Sequence, residues 1–254
     1  MNLRAVTGVI ATAVSLAAVA CGSSSPSSTA PTPVVTAPNY FTGMVMSADT
    51  LTFGSIDLTI DLPVSSLIAS TGAAPQLQIP VPAAKLTLRT GVVVPLSGYY
   101  DSNTSKVYLR DSQLLYSIVL DLGNQLPDGT FTTPDGKVGG VNITRVATPT
   151  VSVIFCGSYF KPIGQGRLTF TASHGPNAYA GAINGYAIDG SDVVTFRGSS
   201  NFSGQMSFAF SILNGSGGGS GQILGSPTNA AASGLWSNSE GEGGIWGASV
   251  TLCF

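Results

Sequence analysis

Charge is what this sequence has least of. Charged side chains make up 9% of its 254 residues, against roughly 25% in an ordinary globular chain. Ten Lys and Arg face twelve Asp and Glu for a net charge of −2. No basic patch or run exists, so nucleic acid and anionic lipid are poor electrostatic partners. The single histidine, His174, sits in Ser173-His174-Gly175-Pro176-Asn177 and reads as a solvated turn. With no Gly-x-Ser-x-Gly and one imidazole, a nucleophile-base triad has no visible parts. One His and three Cys are too few for a zinc site, and no metal or other cofactor is expected. Asp57 and Asp61 share a strand face, but four residues at ~3.3 Å each put them about 13 Å apart. Glycosidase carboxylates stand roughly 5–9.5 Å apart, so those two alone are not such a pair. The acidic turns Asp128 to Asp135 and Asp189 to Asp192 lack EF-hand spacing and read as turn caps.

Helical periodicity is also missing. From Tyr40 onward the period is two. Ile56, Leu58, Ile60 and Leu62 alternate with Asp57, Thr59 and Asp61. The same pattern runs through Leu86–Leu88, Val107–Leu109, Leu168–Ala172 and Met206–Ile212. These are half-buried antiparallel strands. Asp101-Ser102-Asn103, Pro127-Asp128-Gly129, Pro134-Asp135-Gly136, Asp189-Gly190-Ser191 and Asn214-Gly215 punctuate them as turns. Asn103, Asn142, Asn201 and Asn214 each begin an Asn-x-Ser/Thr triplet and read as turn residues rather than glycan sites. Pro63 to Pro82 is the one long irregular stretch, with a short helical turn expected around 64–69.

The N-terminus sets the compartment. Arg4 precedes an apolar run over residues 5–20, shorter than the roughly 20 residues a membrane helix needs. Residues 1–20 read as an export signal. Ala18-Val19-Ala20-Cys21-Gly22 resembles the lipobox of bacterial lipoproteins. That resemblance implies cleavage before Cys21, a diacyl lipid on its thiol, usually a further acyl chain on its new amino group, with palmitate among the chains, and anchorage in the cell envelope. Gly22 after the cysteine implies the outer membrane, where the host has one. The alternative is an ordinary signal ending at Ala20. Residues 21–39 carry no charge and four prolines, and read as a disordered tether.

An exported chain favours a disulfide between the remaining thiols, Cys156 and Cys253. Along Val151–Tyr159, Val151, Val153 and Phe155 share one face while Ser152, Ile154 and Cys156 share the other. Along the last strand Cys253 lies opposite Ala248, Val250 and Leu252. Neighbouring strands would let the thiols meet and close a unit; the alternative is two separate buried thiols. A weak repeat aligns Gly129–Val141 with Gly234–Ile245 if one residue is skipped, and Leu96-Ser97-Gly98 with Phe196-Arg197-Gly198. The expected fold is all-β and antiparallel, with two tandem small barrel-like or sandwich-like units at 40–147 and 148–254, the second closed by the disulfide. Tyr159, Tyr186, Trp236 and Trp246 are the candidates for a ligand cavity, with core packing the plainer account of them.

Cys156-Gly157-Ser158-Tyr159, Gly234-Leu235-Trp236 and Gly244-Ile245-Trp246-Gly247 resemble the small Gly-rich β-barrel lipoproteins of bacteria. Gly225–Ala230 with Gly247-Ala248 is similar to the barrels of transferrin-binding-protein-B-type surface lipoproteins. The resemblance implies a lipid-anchored, non-enzymatic envelope module that binds an envelope protein or a small molecule, or serves structurally. The alternative is a hydrolase acting on carbohydrate or another envelope polymer through cross-strand carboxylates.

Overall fold

The computed structural model describes residues 36–63 and 78–253. The signal, Cys21, most of the tether and the turn expected at 64–69 lie outside the described residues. The described part of the tether is already strand: Thr36 opens the first strand and pairs with Pro63.

Two closed antiparallel barrels follow one another. Barrel 1 comprises β1 (Thr36–Ser47), β2 (Phe53–Pro63), β3 (Gln78–Pro80), β4 (Ala83–Leu88), β5 (Val93–Asp101), β6 (Lys106–Asp111), β7 (Ser117–Asp121), β8 (Asp128–Thr132) and β9 (Val138–Val146). β1 pairs with β2, β2 with β4, β4 with β5, each later strand with the next, and β9 returns to β1. β3 and β4 share one position: both lie along β5, and Val81 between Pro80 and Pro82 still donates its N–H to Gly98 O at 3.0 Å. The two prolines have no N–H to give, which is why the strand breaks there. Asp128 and Gly129, expected in a turn, open β8.

Barrel 2 is a plain meander of β10 (Val151–Phe160), β11 (Gln165–His174), β12 (Gly181–Asp189), β13 (Asp192–Ser200), β14 (Gln205–Ile212), β15 (Gly215–Leu224), β16 (Ala231–Asn238) and β17 (Gly243–Ser249). β17 closes onto β10 from Cys156↔Ser249 to Tyr159↔Trp246. Cys156 and Cys253 are disulfide-bonded with Cα atoms 5.1 Å apart. Cys253 is not on the closing strand, however. The chain leaves β17 at Ser249 and turns through a 3₁₀ segment, Val250–Cys253, whose Val250 and Cys253 are buried. Strand alternation therefore ends before Leu252. Backbone pairing closes the barrel, and the disulfide pins the terminal turn to the outside of β10.

The repeat is real at the level of position. Gly129 and Phe131 lie in the last hairpin of barrel 1, and Gly234 and Trp236 in the last hairpin of barrel 2. Phe131 pairs with Gly139 as Trp236 pairs with Gly244, so the hairpins match residue for residue with none skipped. Thr133 N–H to Lys137 O at 3.0 Å in one turn has its counterpart in Asn238 N–H to Glu242 O at 2.9 Å in the other. Gly98 and Gly198 both sit on the fourth strand position of their barrels. A Cβ on either would overlap a carbonyl of the next strand, that of Tyr108 or of Ser207. Glycine permits this close approach where a small barrel bends sharply.

Three apolar clusters result. Phe41, Val45, Ile56, Leu86, Leu109, Ile118, Leu120, Phe131 and Ile143 are among those filling barrel 1. Phe155, Phe170, Ile183, Phe196, Ile223 and Trp246 are among those in barrel 2. Met44, Met46 and Phe53 from barrel 1 meet Tyr186 and Ile188 from barrel 2, with Ile154 and Cys156 against them. This third cluster joins the barrels, so β1 is buried on both faces from Phe41 to Ser47, and β11 from Leu168 to Ser173.

Beside that cluster runs a polar seam. Asn142, expected in a turn, lies in β9 with 1% exposure. It donates to Phe196 O at 2.9 Å and accepts from Arg197 Nε. Thr144 donates to Asn184 Oδ1 at 2.7 Å, and Asn184 donates to Thr42 O at 3.3 Å. Ser152 Oγ donates to Asp57 Oδ1 at 2.6 Å, with Lys85 3.5 Å from the same carboxylate. Buried polar groups matched across two surfaces fix one docking geometry, because any other leaves them unpaired.

Candidate functional site

β14 shows how a cavity forms. Its inward residues are Met206, Phe208, Phe210 and Ile212, and only Met206 is fully buried. The barrel is therefore packed at the end where β14 begins and opens at the end where β14 finishes. The next strand explains the opening. Gly221, Gly219, Gly217 and Gly215 of β15 pair with those same four residues. A Cβ on Gly217 would overlap the Phe210 ring, one on Gly219 the Phe208 ring, and one on Gly221 the Trp246 ring. The aromatic rings lie over a strip of bare backbone, and no β15 side chain fills that half of the barrel.

The result is a cavity of about 610 Å³ at the open end, within the roughly 300–1,000 Å³ range of small-molecule sites. Trp246 is nearly buried, edge-on to Phe170 with ring centres 6.0 Å apart. Trp236 meets Tyr159 edge-on at 5.7 Å. The indole N–H of Trp236 is bonded to Phe160 O at 3.0 Å, and that of Trp246 to Leu235 O at 3.3 Å. Both indole donors are thus satisfied by the wall itself.

Four hairpin ends ring the mouth, and they carry Asp189, Asp192, Glu240 and Glu242 against one lysine, Lys161. Lys161 is ion-paired with Asp189, and that hydrogen bond raises the ammonium above its ordinary value. Glu242 accepts from Asn238 Nδ2 at 3.0 Å. Burial, and then the nearby Asp189 carboxylate, raise the Tyr159 phenol, which stays protonated at neutral pH.

Tyr159, Trp236 and Trp246 all line the cavity. Tyr186 does not join them. It stands on the outer face of β12 in the cluster between the barrels, where burial pushes its phenol well above the ordinary range. The inner face of β12 carries Ile183, Gly185 and Ala187, and a Cβ at Gly185 would overlap the Phe196 ring and the Phe170 Cβ. His174 ends β11 with its ring edge-on to Tyr179 at 4.8 Å, half-buried rather than in a free turn. Phe196, Phe208 and Phe210 also belong to the cavity, and strand periodicity alone does not mark them as such. The signal was present in Gly215-x-Gly217-x-Gly219-x-Gly221, a period-two glycine run directly after a period-two aromatic one. Among the described residues no group of His, Cys, Asp and Glu is placed to hold a metal ion.

Comparison with known proteins adds no relative: no family model matches the chain, and neither the curated proteins nor the solved structures give a match.

Proposed function

We propose that this is a lipid-anchored bacterial envelope protein whose second barrel is a non-enzymatic binding module for a small molecule. The lipobox-like segment ending at Cys21 supports the anchor, by resemblance. The observation that carries the binding role is the aromatic cavity of about 610 Å³ over the glycine strip of β15. Barrel 1, packed by its own side chains apart from a smaller cavity of about 410 Å³ beside Phe41 and Ile143, serves as the scaffold to which barrel 2 is fixed by the polar seam.

Two experiments test the halves separately. Labelled palmitate fed to the host labels the wild-type chain and not Cys21→Ala; equal labelling of both removes the anchor. The full chain with Cys21→Ala, handled without detergent, binds the neutral dye N-phenyl-1-naphthylamine at one site per chain. Ala187 and Val194 face each other inside the mouth, and Ala187→Phe with Val194→Phe weakens that binding at least tenfold. Unchanged dye binding in the filled variant removes the cavity from the account.

One observation favours hydrolysis as a second reading. Asp189 and Asp192 face each other across β12 and β13 at the cavity rim. Under that reading the chain releases reducing ends from a purified envelope polysaccharide, and Asp192→Asn abolishes the release.

A further inference from the structure

We propose that the barrel 2 cavity selects an organic cation, a molecule with an apolar body and one positive group such as a quaternary ammonium. This inference rests on the reading of barrel 2 as a binding module and names the chemistry that module recognises. The apolar body fits the aromatic interior formed by Phe208, Phe210 and Trp246. The charged group rests at the rim, between the Tyr159 and Trp236 rings and the carboxylates of Asp192, Glu240 and Glu242.

Two independent features of the site point the same way. Aromatic rings attract cations through their negative faces, and quaternary ammonium groups are commonly held in such surroundings. Acidic residues are scarce, twelve in 254, yet four of them ring this one mouth, including Glu240 and Glu242. Lys161 is committed to Asp189, which leaves Asp192, Glu240 and Glu242 without a basic partner among the lining residues. A low-dielectric wall behind those carboxylates focuses their field into the opening. An anionic amphiphile such as a fatty acid would bring its head group against three like charges. A neutral one would gain nothing from them.

The chain contains two tryptophans, and both line the cavity, so tryptophan fluorescence reports on this site alone. The full chain with Cys21→Ala is titrated at neutral pH with decyltrimethylammonium, decanol and decanoate, each below its micelle concentration. The cation is expected to bind at least tenfold more tightly than decanoate and severalfold more tightly than decanol. Its advantage shrinks as salt is raised, since exposed charges are screened. Asp192→Asn with Glu240→Gln and Glu242→Gln lowers the cation-to-decanol affinity ratio at least fivefold. Decanoate binding as tightly as the cation, or an unchanged ratio in the triple variant, overturns the cation preference and leaves the binding module standing. If none of the three probes alters the fluorescence, both the preference and the binding module fall.

Discussion

Replacing Cys156 and Cys253 together by alanine cuts the covalent tie between β10 and the terminal 3₁₀ turn. The two cysteines are 97 residues apart, and closing a loop of that size is worth about 4–5 kcal/mol in the chain-entropy treatment. The β10–β17 ladder is the short one in barrel 2, running only from Cys156↔Ser249 to Tyr159↔Trp246. It has little in reserve once the turn is free to fray. Because the polar seam and the Met44–Tyr186 cluster join the barrels, they should melt as one unit. For a unit of that size a loss of ~4 kcal/mol lowers Tm by roughly 8–16 °C. Barrel 2 melting alone would lose about twice that. Scanning calorimetry of oxidised wild type against the double alanine variant reads both the shift and the number of transitions. A fall of less than about 4 °C, equivalent to less than ~1–2 kcal/mol, would refute the reasoning and show that the ladder closes unaided.

Three further outcomes are expected. Asn142→Leu removes the partner of the Arg197 Nε–H and of the Phe196 carbonyl inside the seam, leaving the guanidinium held only by its bond to Pro127 O. It should cost about 2–4 kcal/mol in urea titration and split the single melt into two; a single unshifted melt would show that the seam does not couple the barrels. Gly198→Ala, whose Cβ would overlap the Ser207 carbonyl, should cost more than Gly136→Ala, which has φ of +78° but open space around it. The second change is worth about 1–2 kcal/mol, and equal losses in thermal melts would contradict the close-approach argument. Above pH 10 the fold should weaken as pH rises. Burial pushes the Tyr179 phenol up to about 12 and Tyr186 higher still. The folded state therefore keeps protons that the unfolded chain has already released. This stabilisation is complete below the ordinary tyrosine value near 10 and is lost as pH climbs toward the raised values. Tyrosinate absorbance from these two rings should appear together with unfolding, and its appearance in the intact fold would refute the assignment.

The strand content was legible because a half-buried strand writes its period into the sequence, as Ile56–Leu62 and Val107–Leu109 do. The Gly98/Gly198 correspondence and the paired terminal hairpins were legible because close backbone contact admits only glycine. What escaped lies where a strand is buried on both faces. On β12 the larger side chains point outward to barrel 1 and the inward face is small, so parity alone misplaces Tyr186. Asn142 looked like a turn residue because a buried asparagine makes sense only beside its partners on another barrel. The cavity could not be read from Trp236 and Trp246 by themselves. It exists because β15 supplies no side chains opposite Phe208 and Phe210. The sequence alone puts Cys253 beside β10 but on a strand, because nothing in Val250-Thr251-Leu252 breaks a strand locally. The turn is set instead by the burial of Val250 and by the disulfide.

The most direct test of barrel 2 as a binding module is native mass spectrometry of the full chain with Cys21→Ala, made in its own host and kept oxidised. The expected result is a mass two hydrogens light, for the Cys156–Cys253 bond, with one small molecule bound per chain. That molecule should be absent when Ala187→Phe and Val194→Phe fill the mouth. A bare chain, unaltered after incubation with a concentrated extract of the host envelope, would contradict the account.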